Sequence, residues 1–156
     1  VTVSKNTHFI LAEKEGDTKV RGLSFRFELP DRSIGYTGDT GPSDDVIRLA
    51  RGADVLVTEI MDAQVSLEKA KAVAAREDPN LLQQLGIKLA TPMLQAHFER
   101  QHLSPEEVGL MAKRADVKSL VITHDALPDE LLDEARERIA RSYGGPISFA
   151  SDLQAF

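Results

Sequence analysis

Hydrophobic and polar residues alternate near the start of the chain, which is the spacing of β-strands. Residues 1–11 are β-rich, and in residues 23–30, LSFRFELP, apolar side chains occupy every second position until the closing Pro. Because a strand places successive side chains on opposite faces, residues 23–30 predict a strand with one apolar and one polar face. Residues 30–33, PDRS, indicate a turn, and residues 34–37, IGYT, predict the second strand of a hairpin.

Further along, short apolar runs alternate with segments of helical spacing. The runs are typical of strands covered on both faces, and the helical segments carry an apolar stripe on one side. The predicted strands cover residues 53–60, 117–123 and 145–150, and the predicted helices cover residues 43–51, 105–114 and 128–143. Residues 62–101 are also helical in pattern, with breaks near Pro79, Gly86 and Pro92. A hairpin followed by strand–helix repeats predicts an α/β sheet with helices on its faces.

Capping signals mark two of these helix starts. Ser43 can N-cap the first helix, and Asp44 and Asp45 suit the positive end of its dipole. Residues 104–107, SPEE, form a capping box with Pro at the first helical position. In the last helix, Glu134 and Arg138 are spaced as a surface ion pair.

Composition restricts the possible functions. The chain of 156 residues is 42% hydrophobic and 28% charged, which is ordinary for one globular domain, 1–156. No segment approaches the ~18 apolar residues of a membrane span, so no membrane partner is expected. With 19 basic and 25 acidic residues the net charge is −6, which makes a nucleic-acid partner unlikely. The absence of cysteine excludes disulfides and thiolate ligands, fits a reducing, cytoplasmic compartment, and leaves His and carboxylates as the available metal ligands.

Three polar residues directly follow predicted strands. Asp39 follows IGYT, Glu59 ends DVLVTE, and His124 follows LVIT. In open α/β sheets, ligands and catalytic groups collect at the carboxyl edge of the strands. We therefore expect these side chains to lie at one edge of the sheet.

Two segments carry a resemblance to a known family. Residues 36–59, YTGDTGPSDDVIRLARGADVLVTE, and residues 102–124, HLSPEEVGLMAKRADVKSLVITH, resemble the C-terminal half of metallo-β-lactamase-fold hydrolases, in particular the ribonuclease-Z-like branch. The resemblance implies half of a four-layer αββα sandwich. It also implies a hydrolase that cleaves an ester or phosphodiester with a metal-bound hydroxide. Two metal ions are implied, usually zinc, with manganese or iron as alternatives.

The resemblance also assigns site residues. It implies that Asp39 of the GDT loop bridges two metals, that His124 binds one of them, and that His8 is a further ligand. It implies that Glu59 and His102 form a pair that carries a proton. A carboxylate can bridge two cations, and each cation acidifies a shared water, while neutral imidazole fills the remaining positions. The tight glycine turn is expected to aim Asp39 at the metals.

Two further residues near these motifs have weaker assignments. Asp125 is a candidate to hold the ring of His124 by hydrogen bonding. His97 lies on a helical segment beside Met93 and Leu94, so it is expected to be structural.

One feature of the family is missing from these residues. The HxHxDH motif, which supplies ligands from the N-terminal half, does not occur, and the chain does not begin with Met. We therefore expect the site to be completed by an N-terminal half of the same fold, and the chain alone to be inactive, with a homodimer as another possible assembly. Thr58 stands where tRNA-processing members carry His, and the charge is acidic, which favours a small ester or phosphodiester over tRNA.

Two alternatives stay open on the sequence alone. GDTGPSD also resembles the magnesium motif of haloacid-dehalogenase-like phosphatases, in which Asp39 and Asp44 would face one Mg²⁺. The DxDx(T/V) nucleophile motif of that family is absent from the chain. The second alternative is a non-catalytic scaffold or subunit, whose exposed sheet edge would promote self-association.

Overall fold

Six strands form one mixed sheet in the computed structural model, which describes residues 1–14, 16, 19–74 and 92–155, without the side chains of 13 and 74. The strands lie side by side in chain order: β1 (Thr2–Lys5), β2 (Leu23–Glu28), β3 (Ser33–Tyr36), β4 (Val55–Ile60), β5 (Leu120–Asp125) and β6 (Ile147–Phe149). The first three strands run antiparallel to one another, whereas β3 to β6 are parallel. The predicted α/β class is confirmed.

Helices connect the strands, and two of them begin at the predicted caps. The helices of the described residues are α1 (Ile10–Lys14), α2 (Asp44–Ala50), α3 (Ala63–Ala74), α4 (Pro92–Gln101), α5 (Pro105–Ala115) and α6 (Leu132–Ala140), with a 3₁₀ turn at Asp129–Leu131. The Ser43 side chain accepts from the N–H of Val46, and Ser104 and Glu107 form both bonds of the capping box. The predicted helix breaks near Pro79 and Gly86 lie outside the described residues. None of the described helices combines the length and apolar character needed to cross a membrane.

The prediction of β-structure through residue 11 is wrong. β1 ends at Lys5, because the Asn6 side chain accepts a hydrogen bond from the backbone N–H of His8 at 3.1 Å and turns the chain. The backbone N–H of Ile10 then bonds the carbonyl of Thr7, and α1 begins. Asn favours such side-chain turns, which makes Asn6 the local cause of the break. His8 consequently lies in a turn, not in a strand.

The helix-covered face of the sheet forms the core. Leu56 of β4 and Ile122 of β5 are fully buried there, packed with Val46 of α2, Met111 of α5 and Ile139 of α6. The apolar sides of α5 and α6 therefore face the sheet. Burying such side chains contributes about 1.5–3 kcal/mol each, so this face accounts for much of the stability.

The other face of the sheet leaves large apolar side chains exposed at β1 to β3. Val3 pairs with Phe25 and Phe25 with Tyr36, and the flanking Leu23 and Phe27 share their face of β2. Val3 is 51% exposed, Leu23 and Tyr36 are each 43% exposed, and Phe27 is 37% exposed. We call these five side chains the open face. The scaffold alternative expects an exposed sheet edge; in the described sheet β1 and β6 are edge strands, and the structure shows an apolar sheet face in addition.

Arg138 ties α6 to the segment that follows β4. Its guanidinium donates two hydrogen bonds to Glu106, at 2.7 and 2.9 Å, and one to Asp62 at 2.8 Å. The predicted partner Glu134 lies further away, at 3.9 Å. Burial raises the pKa of Asp62, but hydrogen bonds from Arg138 and from the N–H groups of residues 64 and 65 outweigh it and hold that pKa below its ordinary value. The hydrogen bond from Arg138 also lowers the pKa of Glu106.

Candidate metal centre

Asp39 and His124 meet above the carboxyl end of β4. Asp39 follows β3 and His124 lies near the end of β5, and β4 separates these two strands. His124 Nδ1 lies 2.7 Å from Asp39 Oδ1. Gly38 and His124 both have positive φ, 59° and 48°. That conformation is uncommon for a residue other than glycine, and such backbone strain concentrates at functional sites.

Glu59 lies beneath this pair and is only 2% exposed. The register between β4 and β5 shifts between Thr58 and Ile60, and such an irregularity re-aims the side chain that it contains. Glu59 Oε1 accepts from the N–H of Thr40 at 3.1 Å and of Leu103 at 3.2 Å. Its Oε2 lies 3.1 Å from Nδ1 of His102. The buried carboxylate of Glu59 thus connects the loop that carries Asp39 to His102 and Leu103.

His8, Asp39 and His102 form a group whose geometry suits a metal ion. One ligand atom from each lies within 4.8 Å of the others. His8 Nδ1 lies 3.1 Å from the carbonyl oxygen of Gln101, and His102 Nδ1 lies 3.1 Å from Glu59. A carbonyl or carboxylate oxygen only accepts, so both rings donate through Nδ1, and in the neutral imidazole Nε2 then carries the free lone pair. Metal-binding histidines are held in this way in proteins, so this donor set fits a divalent metal.

The structure brings all five predicted site residues together, but it groups them differently from the prediction. The predicted ligand set was His8, Asp39 and His124, with His102 and Glu59 carrying a proton. The group with metal-binding spacing instead contains His102, and His124 joins it through its bond to Asp39. His102 is buried, whereas the His124 side chain is 64% exposed. The division of roles among these residues therefore stays a prediction.

Two other predicted contacts differ in the structure. The ring nitrogen of His124 bonds Asp39, not its neighbour Asp125, which is exposed. Asp44 pairs with Arg114 at 2.8 Å and is not part of the metal-binding group found among the described residues. The Asp39–Asp44 magnesium site of the haloacid-dehalogenase-like alternative therefore has no support in this geometry.

Sequence reasoning missed the buried polar residues that support the Asp39 loop. Asn6 Nδ2 donates to the carbonyl of Thr37 at 3.0 Å, and Ser24 Oγ donates to the same carbonyl at 2.6 Å. Thr40 is fully buried, and its hydroxyl donates to the carbonyl of Gly41 at 2.8 Å. Only Asn6, which can turn a chain, carried a local signal, because Ser and Thr are common at strand ends for many reasons.

Gly41 closes the loop against α4. A Cβ at this position would collide with the carbonyl oxygen of Arg100, so the loop backbone touches the last turn of the helix. Only glycine permits that approach. The GDTG loop is thereby fixed directly beside His102, which follows α4.

The family of the chain is shown by a comparison with protein-family models. Residues 1–124 match the Beta-lactamase superfamily domain. The chain belongs to this superfamily. Proteins of the fold usually bind metal ions, most often zinc, and the described residues include a His/Asp group suited to one.

Curated relatives and a solved structure agree with this family. The chain is 30% identical over 145 residues to Ribonuclease Z of Haloarcula marismortui, a match that covers 90% of this chain and 37% of that protein. It is 31% identical over 118 residues to Ribonuclease Z of Brevibacillus brevis, covering 69% and 29%. The metallo-β-lactamase fold protein YhfI from Bacillus subtilis has a similar structure, with a TM-score of 0.59 and 20% identity over 96% of this chain and 46% of that one.

These matches confirm the resemblance to metallo-β-lactamase-fold, ribonuclease-Z-like proteins and the corresponding fold. The chain spans about a third of the length of the curated relatives that it matches.

Proposed function

We propose that this chain is the C-terminal half of a metal-dependent phosphodiesterase, and that its site is completed by an N-terminal half. One observation carries the proposal. In a superfamily domain, an aspartate held on a glycine loop lies within metal-binding distance of two imidazoles and hydrogen-bonds a third. Carboxylate and imidazole are ligands that zinc accepts, and manganese or iron also fit such a set.

In this proposal each residue has a distinct task. His8 and Asp39 hold the metal. His124 either binds the metal as well or orients the Asp39 carboxylate, to which it is hydrogen-bonded. A bound divalent metal supplies charge stabilisation and lowers the pKa of water at the site. His102 receives or delivers the proton at Nε2, since its Nδ1 is engaged by Glu59. Glu59 fixes the orientation of that ring.

The substrate proposed is a phosphodiester. The sequence made nucleic acid unlikely because of the acidic charge, but the curated relatives named above are ribonucleases, which weighs against that exclusion. We therefore include RNA among the candidate phosphodiester substrates, although the sequence alone favoured a small ester or phosphodiester over tRNA. Hydrolysis of bis(4-nitrophenyl) phosphate, measured with and without a 3′-extended tRNA as competitor, separates the two. Strong competition shows that RNA occupies the site and supports an RNA substrate, and its absence supports a small diester.

The partner proposed for the open face is the N-terminal half. Val3, Phe25 and Tyr36 form a row of apolar side chains across the three antiparallel strands, and the core helices lie on the other side of the sheet. A contiguous apolar surface of this kind marks an interaction site. A second sheet packed there gives the inner two layers of the four-layer sandwich that the family resemblance implies.

Asp39→Ala tests the proposed function in the complete protein. Without the Asp39 carboxylate, the protein should lose hydrolysis and retained metal together, measured by initial rates and elemental analysis. Asp44→Ala is the matched control, because it removes a carboxylate at the start of α2, just after the Asp39 loop, whose ion-pair partner among the described residues is the exposed Arg114. It should leave both quantities unchanged. Full metal content with loss of activity in Asp39→Ala would contradict the metal-binding role proposed for Asp39. Metal loss in Asp44→Ala would revive the magnesium-phosphatase alternative.

A further inference from the structure

His97 packs directly against the two imidazoles of the candidate metal centre. Its ring centroid lies 5.0 Å from that of His102 and 5.9 Å from that of His8, and the His8 and His102 centroids are themselves 5.0 Å apart. All three pairs have edge-to-face geometry. The sequence places His97 beside Met93 and Leu94 and predicts a structural role, but the structure places it in the site.

Gln101 connects His97 to His8. The Gln101 side-chain amide donates through Nε2 to the backbone carbonyl of His8, and the Gln101 carbonyl oxygen accepts from His8 Nδ1 at 3.1 Å. Gln101 therefore holds His8 at both its backbone and its ring. Since Nε2 faces an oxygen, Oε1 is the atom that faces His97, at 2.7 Å from Nδ1. An amide oxygen only accepts, so His97 donates through Nδ1.

We propose that His97 is a positioning residue for the metal centre: by fixing the Gln101 side-chain amide it anchors the His8 backbone, and so keeps the His8 ring within reach of the Gln101 main-chain carbonyl, with Nε2 free as a ligand. The inference rests on the proposed metal-dependent function for its catalytic meaning, but the bond network exists without metal. Gln101 is buried at 6% exposure, and its amide has two possible orientations. The N–H of His97 selects the one in which Nε2 reaches the His8 carbonyl.

The bond from His8 Nδ1 to the Gln101 main-chain carbonyl resembles the support that metal-binding histidines receive in proteins generally. A hydrogen bond to the second ring nitrogen fixes the tautomer and the ring plane, and losing such a partner typically weakens metal binding by about 10–100-fold. His97 does not hydrogen-bond the His8 ring but supports it through the Gln101 side chain and the His8 backbone, so we expect a loss at the lower end of that range, about 10-fold.

Two substitutions separate hydrogen bonding from packing. His97→Phe keeps an aromatic ring against His8 and His102 but removes the donor. His97→Asn loses the ring but keeps an N–H near the position of Nδ1. A packing role predicts that Phe is the milder change, whereas the positioning role predicts that Asn is. Gln95→Ala is the matched control, because it breaks an exposed Gln95–Glu99 bond with the same spacing on the same helix.

The first readout is the ¹⁵N-detected NMR spectrum of the His8 ring in the metal-free 156-residue chain. We expect one tautomer, with the proton on Nδ1, in the unmodified chain, in His97→Asn and in Gln95→Ala, and a mixture in His97→Phe. The second readout is Zn²⁺ affinity by calorimetry, which should fall about 10-fold in His97→Phe alone. Circular dichroism verifies that each variant is folded.

The outcomes distinguish this inference from the proposed function. If His8 carries its proton on Nε2 in the unmodified chain, or if His97→Phe leaves the Nδ1 tautomer intact, the positioning role is overturned whatever the metal does. If the chain binds no Zn²⁺ but His97→Phe still mixes the tautomers, the inference stands and the metal role proposed for the site fails.

Discussion

Replacing Glu59 tests how the buried carboxylate joins the fold to the chemistry. Glu59 Oε1 is the acceptor for two backbone N–H groups, those of Thr40 and Leu103, and both residues are fully buried. Glu59→Ala leaves both donors without a partner. Each unsatisfied buried donor costs about 1–3 kcal/mol, so the free energy of unfolding should fall by about 2–6 kcal/mol. That is a large fraction of the roughly 5–15 kcal/mol by which domains are stable.

Glu59→Gln separates the structural role from the chemical one. A glutamine carbonyl can still accept from both backbone N–H groups, so the variant should lose only about 1–2 kcal/mol. Its amide N–H₂ then faces the N–H at Nδ1 of His102, and two hydrogen-bond donors cannot bond each other. The His102 ring must therefore lose its Nδ1 proton. The proton moves to Nε2, which removes the lone pair with which the His102 ring would accept a proton. Activity of the complete protein should fall by about 10²–10⁴-fold, the usual contribution of general acid–base catalysis.

Urea unfolding, followed by circular dichroism, and initial rates on bis(4-nitrophenyl) phosphate measure the two effects. Glu99→Gln, which alters an exposed carboxylate on α4, should change neither. If Glu59→Gln were as unstable as Glu59→Ala, the shared-acceptor argument would be wrong. If it were folded and fully active, Glu59 would not control the ring of His102.

Two further predictions concern stability and assembly. Arg138→Met should lower the free energy of unfolding by about 2 kcal/mol at neutral pH. The folded-state pKa values of Asp62 and Glu106 are lowered, so the stability that these carboxylates contribute is present above their unfolded-state pKa values. That stability is lost as the pH falls below about 4.5. Urea titrations should therefore show a smaller loss of stability in Arg138→Met at about pH 3 than at neutral pH. An equal deficit at both pH values would contradict this. Phe27→Glu would bury a charge in the interface and should weaken association with the N-terminal half roughly 100-fold, measured by gel filtration and calorimetry. The control Leu110→Glu, at an exposed position of α5, should not weaken it. Equal effects of the two substitutions would exclude the open face as the interface.

The strand-end residues could be predicted because chain order and sheet order coincide. Asp39 and His124 each close a strand of a parallel set, and such ends meet at one edge whatever the details of packing. The helix caps at Ser43 and Ser104 were predictable for a different reason, since they depend on residues a few positions apart. Local signals therefore sufficed for these helix starts and for the edge at which the site lies, but not for residues 6–11, where Asn6 turns the chain.

Periodicity could not show which side of β2 is covered. The polar face carries Ser24, which is fully buried because its hydroxyl bonds the carbonyl of Thr37, while Leu23 and Phe27 on the apolar face are exposed. Alternation reveals that two faces differ, but the partner that covers each face is a tertiary property.

The supporting residues of the site were also beyond local reasoning. His97 occupies an ordinary helical position, and only the fold brings it to His8 and to the Gln101 amide between them. The same holds for Gly41, whose requirement for glycine arises from the backbone of α4. The candidate site residues lie in recognisable sequence motifs, whereas the residues that support them, such as His97 and Gly41, are identified by their contacts in the structure.

The most direct test of the proposed metal centre is the position of a metal in crystals of the protein grown with zinc, located by anomalous scattering at the zinc edge. We predict a peak in contact with Asp39 and His8, at about 2.0–2.2 Å from the carboxylate oxygen and the imidazole nitrogen. A zinc ion bound elsewhere with these two side chains unligated, or no peak at saturating zinc, would contradict it.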